Sequence, residues 1–560
     1  MSVTTSSARD SSGGAVAPGF PAQLWRRDLA HYPESSGRRY GYLAIVVLTT
    51  IILYYQLYIQ GGVATSIIAH FGFSFLYFVY ISVIGNFVGA FASLLAGLAD
   101  RWGRANLVVY GVLVTSVLVL ILPSAGGPVS YTVLVAAISF VEGIVLVATP
   151  ALVRDFSPQL GRATAMGYWT MGPVIGSLVV TSVTSSTLSF STWQDEVRYS
   201  GYAGIVVFLI ALFGLRELSP RLRDQIMVSL SDRLLIEARA KGLDLTKLDG
   251  QWRQMLRLDV IGPAFGVAVF LLLYYSAVGI FVIYFATNFG FSEQATNGLL
   301  NWYWISNAVA LLVAGLLSDR LRVRKPFMIV GGVGSVIMTV IFASLATQPT
   351  TSPATFAWVF VGMSVCGGIA YAPWMASFTE TVERHNPAAT ATGLAVWGWI
   401  VRIVVAVSTI FIPIVVSAVN PLVEHGAEVS AAAKEAGPAL AIVQAHPQLF
   451  AELGKYPANA VPPEVLQRAV TEVSPADLAA VAKVAPQLKV LQEHGTEVAA
   501  AAAAGPGQWQ AWWYVCLAGQ VVFLAFVFVM SGRWSPRKAK SDAEAHRLAV
   551  EREMAALNAG

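Results

Sequence analysis

The sequence predicts an all-α membrane protein with twelve transmembrane helices, arranged as two repeats of six helices. Of its 560 residues, 56% are hydrophobic and only 12% are charged, whereas soluble proteins carry about 25% charged residues. The chain contains about twelve apolar runs whose lengths are close to the roughly 20 residues that a spanning helix needs. Short motifs of the first half also return, in the same order, in the second half.

The apolar runs predict the transmembrane helices one by one. Several runs exceed the minimum spanning length, which indicates tilted helices. The helices are expected over residues 40–68, 74–97, 106–123, 130–153, 163–185, 200–216, 259–286, 295–317, 327–347, 355–378, 389–418 and 509–531.

The positions of the basic residues predict the orientation. Lys and Arg concentrate in alternate connections, and the turns near residues 70, 126, 290 and 350 carry none. The positive-inside rule therefore places both termini and the 217–258 connection in the cytoplasm. The Ala-rich, Cys-poor composition is typical of a high-GC bacterium, so we expect a multi-pass protein of the bacterial cytoplasmic membrane.

The two halves repeat each other with an offset of about 220 residues. Leu53-Tyr54-Tyr55 returns as Leu273-Tyr274-Tyr275, and residues Phe71–Ser74 return as Phe289–Ser292. Each half has an even number of helices, so the repeats run parallel and are related by an axis along the membrane normal.

A short charged turn, Ala96-Gly-Leu-Ala-Asp-Arg-Trp-Gly-Arg104, follows the second helix, and Gly315–Lys325 has the same place in the second half. Both turns resemble the G-x-L-A-D-R-x-G-R-K loop motif of the major facilitator superfamily, with Arg322 in place of the internal glycine of the second copy. The resemblance implies two six-helix bundles around a central cavity, alternating access, and a role of these turns in the inner gate. The gating residues implied by the two motifs are Asp100, Arg101, Arg104, Asp319 and Arg320.

The connection after the fourth helix carries a second resemblance. Pro150, Asp155 and Arg162 follow the spacing of the sugar-porter and metabolite–proton symporter branches of that superfamily, with Asp155 in place of a glutamate. We expect these charges to form cytoplasmic ion pairs that hold the two halves together in one state; solvated loop charges that contribute little are the alternative. The corresponding charges in the second half are Glu380, Glu383 and Arg384.

Two charged residues fall deep inside predicted helices. Glu142 lies near the middle of the fourth helix, where a charge costs roughly 2.5–3.5 kcal/mol on insertion scales for comparable groups. A carboxylate avoids this cost by taking a proton, so Glu142 is the expected proton-coupling residue, a neutral structural glutamate being the alternative. Arg402, in the eleventh helix, needs either an anionic partner, such as Glu142 or a substrate carboxylate, or a watery cavity, unless it snorkels outward.

Uncharged polar and aromatic side chains form the rest of the predicted site. Polar groups in hydrocarbon need partners, and hydrogen bonds between helices are the alternative to a role in binding. Together with Arg402, the expected substrate contacts are Gln56, Gln60, Asn86, Asn307, Tyr54, Tyr274 and Trp397.

The domain organisation follows from these helices. Residues 419–508 are Ala-rich, interrupt the superfamily pattern, and predict an extracytoplasmic helical cap. The pattern Glu-His-Gly-x-Glu-Val occurs at both ends of the cap, around His425 and His494; two histidines are weak evidence for a metal, so no metal site is predicted. The expected units are a disordered cytoplasmic tail (1–37), a six-helix bundle (38–216), a cytoplasmic linker (217–258), a second bundle (259–418 with 509–531), the cap (419–508) and a cytoplasmic tail (532–560).

The sequence therefore predicts a secondary transporter and not an enzyme. No nucleotide-binding or hydrolase motif is apparent, so a proton gradient is the expected energy source and no cofactor is expected. We expect a small organic solute, such as an organic acid, as the substrate. An exporter of drugs or lipids is the alternative within transport, and a carrier-like membrane receptor or assembly factor that uses the cap is an alternative of another class.

The expected partners are the solute, the lipid bilayer and, at residues 420–508, an extracytoplasmic protein. No nucleic acid is expected, and the chain is expected to act as a monomer.

Overall fold

The computed structural model describes most of the chain. The described part is helical, apart from short connections and one parallel pair of two-residue strands, β1 (Asp28–Leu29) and β2 (Glu217–Leu218). The residues described are 25, 27–93, 95, 103–156, 162–219, 255–385, 390–456, 460–530, 532–538, 540–541, 544–545, 548 and 551–552.

The helices form an N-terminal bundle and a C-terminal bundle. The N-terminal bundle consists of α1 (Ser36–Gly62), α2 (Ala64–Phe71), α3 (Phe75–Ser93), α4 (Arg104–Ile121), α5 (Pro128–Phe156), α6 (Arg162–Thr187) and α7 (Trp193–Gly214). The C-terminal bundle begins with α8 (Leu258–Phe270), α9 (Leu272–Gly279), α10 (Phe281–Phe289), α11 (Glu293–Leu321), α12 (Lys325–Leu345), α13 (Pro353–His385) and α14 (Thr390–Val415).

The predicted membrane fold is confirmed. Within the described residues, 11 helical stretches are long and apolar enough to cross a membrane. Of the twelve predicted spans, the one not among these 11 stretches is the 26-residue helix α6. Its sequence is rich in Thr, Ser and Gly, which lowers its hydropathy.

The first and seventh predicted helices are broken, which the apolar pattern did not predict. Val63 lies between α1 and α2 with φ −125° and ψ 31°, and Ile280 separates α9 from α10 with φ −136° and ψ −7°. The breaks coincide with a close approach of the two bundles, since a Cβ atom on Gly61 would lie 2.1 Å from the carbonyl oxygen of Val278. The repeat is therefore visible in the backbone as well as in the sequence.

Matched glycines end these two broken helices. Gly72 follows α2 with φ 63°, and Gly290 follows α10 with φ 68°. A glycine in the left-handed region is a common end of a helix, because it adopts this conformation without steric cost. These turns mark one end of the molecule, which we call the cap side.

Part of the N-terminal tail that was predicted to be disordered packs on the N-terminal bundle. Arg27 is 1% exposed; its Nε donates to Oδ1 of Asn106 at 2.9 Å, and its Nη1 donates to the carbonyl oxygen of Leu212 at 2.5 Å. Burial lowers the pKa of this guanidinium, although hydrogen bonds to its charged form oppose the shift. The expectation of disorder over 1–37 is therefore wrong for residues 27–37, and residues 1–24 and 26 lie outside the described part.

The insert forms a cap of helices at the cap side. Its last helix continues into the final span, so the predicted boundary at residue 509 falls within α20, which has 43 residues. At 1.5 Å per residue such a helix is about 65 Å long, about twice the thickness of the hydrocarbon core. The helices are α15 (Val419–Glu424), α16 (Gly426–Ala445), α17 (Pro447–Leu453), α18 (Pro463–Glu472), α19 (Pro475–Lys483) and α20 (Ala485–Val527).

The two histidines of the cap do meet. The rings of His425 and His494 stack with 3.7 Å between their centroids and 10° between their planes. No group of three or more possible metal ligands occurs among the described residues. The stack therefore joins the start of α16 to α20 by ring contact.

We predict that Gly143→Ala lowers the stability of the N-terminal bundle. A Cβ atom on Gly143 would lie 2.4 Å from the carbonyl oxygen of Gly89, so α3 and α5 must separate. Overpacking of this kind typically costs about 1–3 kcal/mol. Thermal unfolding of the purified protein, followed by tryptophan fluorescence, should show a lower midpoint. Gly126→Ala is the matched control, because no atom lies within 4 Å of its added Cβ atom; equal midpoints for the two variants would contradict the prediction.

Candidate functional site

A cavity of about 390 Å³ lies between the two bundles. Its volume falls within the roughly 300–1,000 Å³ that is typical of small-molecule sites. Helices α1, α3, α5 and α6 contribute one side, and α8, α9, α11, α13 and α14 contribute the other. The cavity brings together most of the polar residues selected from the sequence: Tyr54, Gln60, Asn86, Glu142, Tyr274, Asn307, Trp397 and Arg402.

Glu142 is the buried acidic group of the cavity wall. Its side chain is 2% exposed, and neither carboxylate oxygen has a hydrogen-bond partner in the described part of the chain. A buried charge without a partner is strongly unfavourable. The surroundings of Glu142 therefore favour its neutral, protonated form in this conformation.

Arg402 reaches across the cavity from α14 to the other bundle. Its Nη1 donates a hydrogen bond of 3.3 Å to the carbonyl oxygen of Gly89 on α3. That oxygen also packs against Gly143, the residue after Glu142. The guanidinium thus lies near the backbone beside Glu142, but the carboxylate of Glu142 accepts no hydrogen bond from it. A pair between the two charges, which was one of the alternatives for Arg402, is not formed in this conformation.

Aromatic rings form much of the remaining wall. The rings of Tyr54 and Tyr58 lie 5.3 Å apart, and those of Tyr274 and Tyr275 lie 5.2 Å apart, in corresponding helices of the two halves. Nε1 of Trp397 is buried without a hydrogen-bond partner in the described part. Sequence reasoning missed some of these rings, although the repeated Tyr-Tyr pair was a signal for Tyr275. The missed residues of the wall are Tyr58, Trp169, Tyr275 and Tyr371.

The structure contradicts the prediction that Gln56 contacts a substrate. Gln56 is 1% exposed and is absent from the cavity wall; its Nε2 donates to Oγ of Ser116 at 2.9 Å and to the carbonyl oxygen of Ser200 at 3.2 Å. It therefore joins α1 to α4 and α7 within one bundle. Gln60, one turn later, does line the cavity, and its Oε1 accepts a hydrogen bond from the hydroxyl of Tyr131 at 3.0 Å.

The two asparagines of the wall also make local bonds. Nδ2 of Asn86 donates to the carbonyl oxygen of Ser82 at 2.9 Å, and Nδ2 of Asn307 donates to that of Ser364 at 3.1 Å. In both residues the Oδ1 atom accepts no hydrogen bond from another described residue, so each amide keeps an acceptor at the cavity. This is the polarity that a donor group on a solute needs.

The charged turns form ion pairs at the end opposite the cap. Arg104 binds Asp155 at 2.9 Å, and its backbone N–H donates to Glu217 at 2.8 Å. In the second half, Arg324 binds Asp319 at 2.6 Å and Glu380 at 3.2 Å. In each half, an arginine of the charged turn thus pairs with an acidic residue near the end of a later helix, α5 in the first half and α13 in the second.

These pairs bear on two expectations. Each ion pair given above joins residues of one bundle, and the prediction that such charges hold the two halves together stays a prediction. Arg320 is exposed, and Arg324 makes the ion pairs instead. Arg322, with φ 55°, takes the left-handed conformation at the position that Gly103 has in the first copy, but the following helix begins only at Lys325, whereas in the first copy it begins at Arg104, directly after the glycine. Asp100 and Arg101 lie outside the described residues, as do the side chains of Arg162, Glu383 and Arg384.

Hydrogen bonds between the bundles close the cavity on the cap side. Nδ2 of Asn297 on α11 donates to the carbonyl oxygen of Gly62 at 2.8 Å, and Oδ1 of Asn301 accepts from the hydroxyl of Thr181 at 2.7 Å. At the cap end of the same helix, Glu293 accepts hydrogen bonds from Thr65 and Ser66. The molecule is therefore closed toward the cap, as one state of a two-sided carrier would be.

Comparison with known proteins agrees with this architecture. Residues 263–421 match the family model of the Major Facilitator Superfamily. No curated protein matches the chain in sequence. The resemblance seen in the loop motifs is thus confirmed by a family match in the C-terminal half.

Solved structures share the fold over most of the chain. A bacterial homolog of the human lysosomal transporter Spinster, inward-facing and unoccupied, has a TM-score of 0.60 at 16% identity and covers 90% of this chain and 100% of its own. The occupied, inward-facing form of that homolog has a TM-score of 0.56 at 16% identity, with 88% of this chain and 97% of its own covered. A D-xylose–proton symporter has a TM-score of 0.51 at 14% identity, with 67% and 90% covered. At these identities the likeness shows the fold.

We predict that cysteines at the two glutamine positions of α1 differ in reactivity. After Cys366→Ala and Cys516→Ala, a Gln60→Cys variant should react with a small thiol reagent, because Gln60 lines the cavity. A Gln56→Cys variant should react more slowly by roughly tenfold or more, because a buried site reacts only after local opening. Mass spectrometry of the labelled protein measures both rates. Equal rates would place Gln56 at the cavity after all.

Proposed function

We propose that this chain, which has the major facilitator superfamily fold, is a secondary transporter that moves a small organic acid together with a proton. The observation that carries the proposal is the buried Glu142 carboxyl, which has no described hydrogen-bond partner and lines the same cavity as Arg402. An ionisable group without a partner in a bilayer-spanning helix lowers the stability of the protein. Its presence in the cavity wall supports a role in coupling.

The two parallel bundles support alternating access as the mechanism. Parallel repeats with the binding site at their interface allow one half to rock against the other, so that the site faces each side of the membrane in turn. The cavity lies at that interface, and hydrogen bonds between the bundles close its cap side. Energy would come from an ion gradient, and no cofactor would be involved.

Charge balance supports one proton for each acid group. An arginine stays protonated in proteins, so Arg402 brings one positive charge to the cavity. A substrate carboxylate bound there neutralises that charge, and Glu142 is then best left protonated and neutral. In another conformation of the empty carrier, in which the two side chains come into contact, an ionised Glu142 would instead be the natural partner of Arg402. Loss of the proton and loss of the substrate are thereby linked.

The wall composition supports a solute with an apolar part. Tyr54, Tyr274 and Trp397 present ring surfaces beside the two charges, and aromatic walls with few polar groups are typical of small-molecule sites. The same surface favours a second candidate, a proton-driven exporter of amphipathic drugs or lipids. Direction of transport separates these two proposals.

Localisation and partners are part of the proposal. The basic residues favour both termini inside and the cap outside, and the Ala-rich, Cys-poor composition favours a bacterial cytoplasmic membrane. A monomer is sufficient for this mechanism, because both halves of the cavity come from one chain. Binding of an extracytoplasmic protein to the cap, or a receptor function of the cap, stays a prediction from the sequence.

We predict that Glu142→Gln abolishes proton-coupled uptake. Purified protein in liposomes with a pH dye inside is challenged with organic acids, sugars and amphipathic drugs. The wild-type protein should acidify the lumen with one class of solute, and the variant should lose this signal, because a Gln amide cannot carry the proton. Arg402→Gln should weaken the apparent affinity for that solute by roughly tenfold or more, the size expected for a lost charge-assisted bond.

Glu196→Gln is the matched control. Glu196 is also buried, but it accepts hydrogen bonds from Thr187 and Ser191 within the N-terminal bundle and lies outside the cavity. It should keep proton-coupled uptake. Folded wild-type protein that gives no pH change with any solute, or Glu142→Gln that retains it, would contradict proton symport.

A further inference from the structure

The cap-side contact between the bundles centres on a carboxylate that the mechanism above does not use. Glu293, in the first turn of α11, is 8% exposed. Its Oε1 accepts hydrogen bonds from the hydroxyl of Thr65 at 2.6 Å and from the backbone N–H of Ser66 at 2.8 Å. Its Oε2 accepts one from the hydroxyl of Ser66 at 2.6 Å. Both partners lie in the first turn of α2, in the other bundle.

Other polar side chains of α11 continue this contact toward the cavity. Asn297 and Asn301 follow Glu293 at successive intervals of four residues, so the three side chains share one face of the helix. Asn297 bonds to Gly62, and Asn301 accepts hydrogen bonds from Thr181 and Ser182 at 2.7 and 3.0 Å. This face of α11 therefore bonds to α1 and α6 along its length.

The helix break beside Gly62 allows this close approach. A Cβ atom on Gly62 would lie 2.8 Å from Cγ1 of Val180 in the same bundle, and one on the neighbouring Gly61 would lie 2.1 Å from the carbonyl oxygen of Val278 in the other bundle. A side chain at Gly61 would therefore push the bundles apart. The break at Val63 also starts a new helix, α2, and thereby presents the N–H of Ser66 and the two hydroxyls to Glu293.

We propose that Glu293 with Thr65 and Ser66 is the latch of the outer gate, the contact that must break before the cavity can open on the cap side. This inference rests on the proposed alternating access. Hydrogen bonds to an ionised carboxylate are about twice as strong as neutral ones, and here three of them converge on one group. The neighbouring Asn bonds are neutral and individually weaker, so Glu293 contributes most to closure.

The latch differs in kind from the inner ion pairs. Arg104 with Asp155, and Arg324 with Glu380, join elements of one bundle in this conformation. Glu293 joins the two bundles and uses hydroxyl and amide donors in place of a cation. Closing this contact removes one charged group from water, whereas closing an ion pair would remove two.

Cysteine accessibility tests the latch without a substrate. In a chain carrying Cys366→Ala and Cys516→Ala, Ser82→Cys places one thiol in the cavity wall. A membrane-impermeant thiol reagent is added to the outside of vesicles. A separate Ala500→Cys variant has its thiol at an exposed position of the cap, so its labelling shows that the cap side faces outward. Glu293→Ala should speed labelling of the cavity thiol by roughly tenfold, which corresponds to about 1.4 kcal/mol.

The chain offers a matched control and an independent variant. Glu196→Ala removes a buried carboxylate that also accepts hydroxyl hydrogen bonds, but within one bundle, and should leave the labelling rate unchanged. Thr65→Val combined with Ser66→Ala removes the two hydroxyl donors, leaves the backbone N–H of residue 66, and should speed labelling even where Glu293→Ala folds poorly.

Unchanged labelling in both Glu293→Ala and the Thr65→Val, Ser66→Ala chain would overturn the latch. An equal acceleration by Glu196→Ala would also overturn it, because loosening of one bundle would then explain the result. The outcome is separate from the proposed function: faster labelling without uptake of any acid in liposomes keeps the latch and rejects proton symport of acids. Uptake of an acid with unchanged labelling keeps proton symport and rejects the latch.

Discussion

The structure depends on one constraint: polar groups inside a bilayer must find partners within the protein. Gln56 and Glu196 find theirs inside the N-terminal bundle, where they bind helices to each other. Asn297, Asn301 and Glu293 find theirs across the bundle interface. The first kind of bond holds a bundle rigid, and the second kind can be made and broken as the bundles move.

Glu142 is an acidic group of the cavity wall that does not meet this constraint. Both of its oxygens lack a described partner, although the wall contains Arg402 and donors on aromatic rings. A rigid scaffold would satisfy such a group or replace it with an apolar one. In the proposed transport cycle, an unpaired carboxyl that faces a cavity between the two bundles is instead suited to gaining and losing a proton as the cavity changes its occupant.

Much of this arrangement was predictable, because the repeat and the depth of the charges follow directly from the sequence. The helices, Glu142, Arg402 and most of the wall were found in this way. Gln56 was not separable from Gln60, since residues four apart differ by only about 40° around a helix. In the sequence, Glu293 looks like an ordinary acidic residue in the first turn of a helix. Its partners reach it only because the helix breaks at Val63, and that break depends on packing against the other bundle. Arg324 was missed because it lies one residue farther from Asp319 than Arg104 lies from Asp100, although Arg322 and Gly103 are left-handed at the same position of the two copies.

The protonation state of Glu142 tests the account most directly. Infrared difference spectroscopy of the purified protein, titrated with acid and base, compares the wild type with Glu142→Gln and Glu196→Gln. The account predicts a carboxylic-acid C=O band that is lost in Glu142→Gln, is retained in Glu196→Gln, and changes when a transported solute binds. A Glu142 that stays an ionised carboxylate throughout the titration would contradict proton coupling at this site.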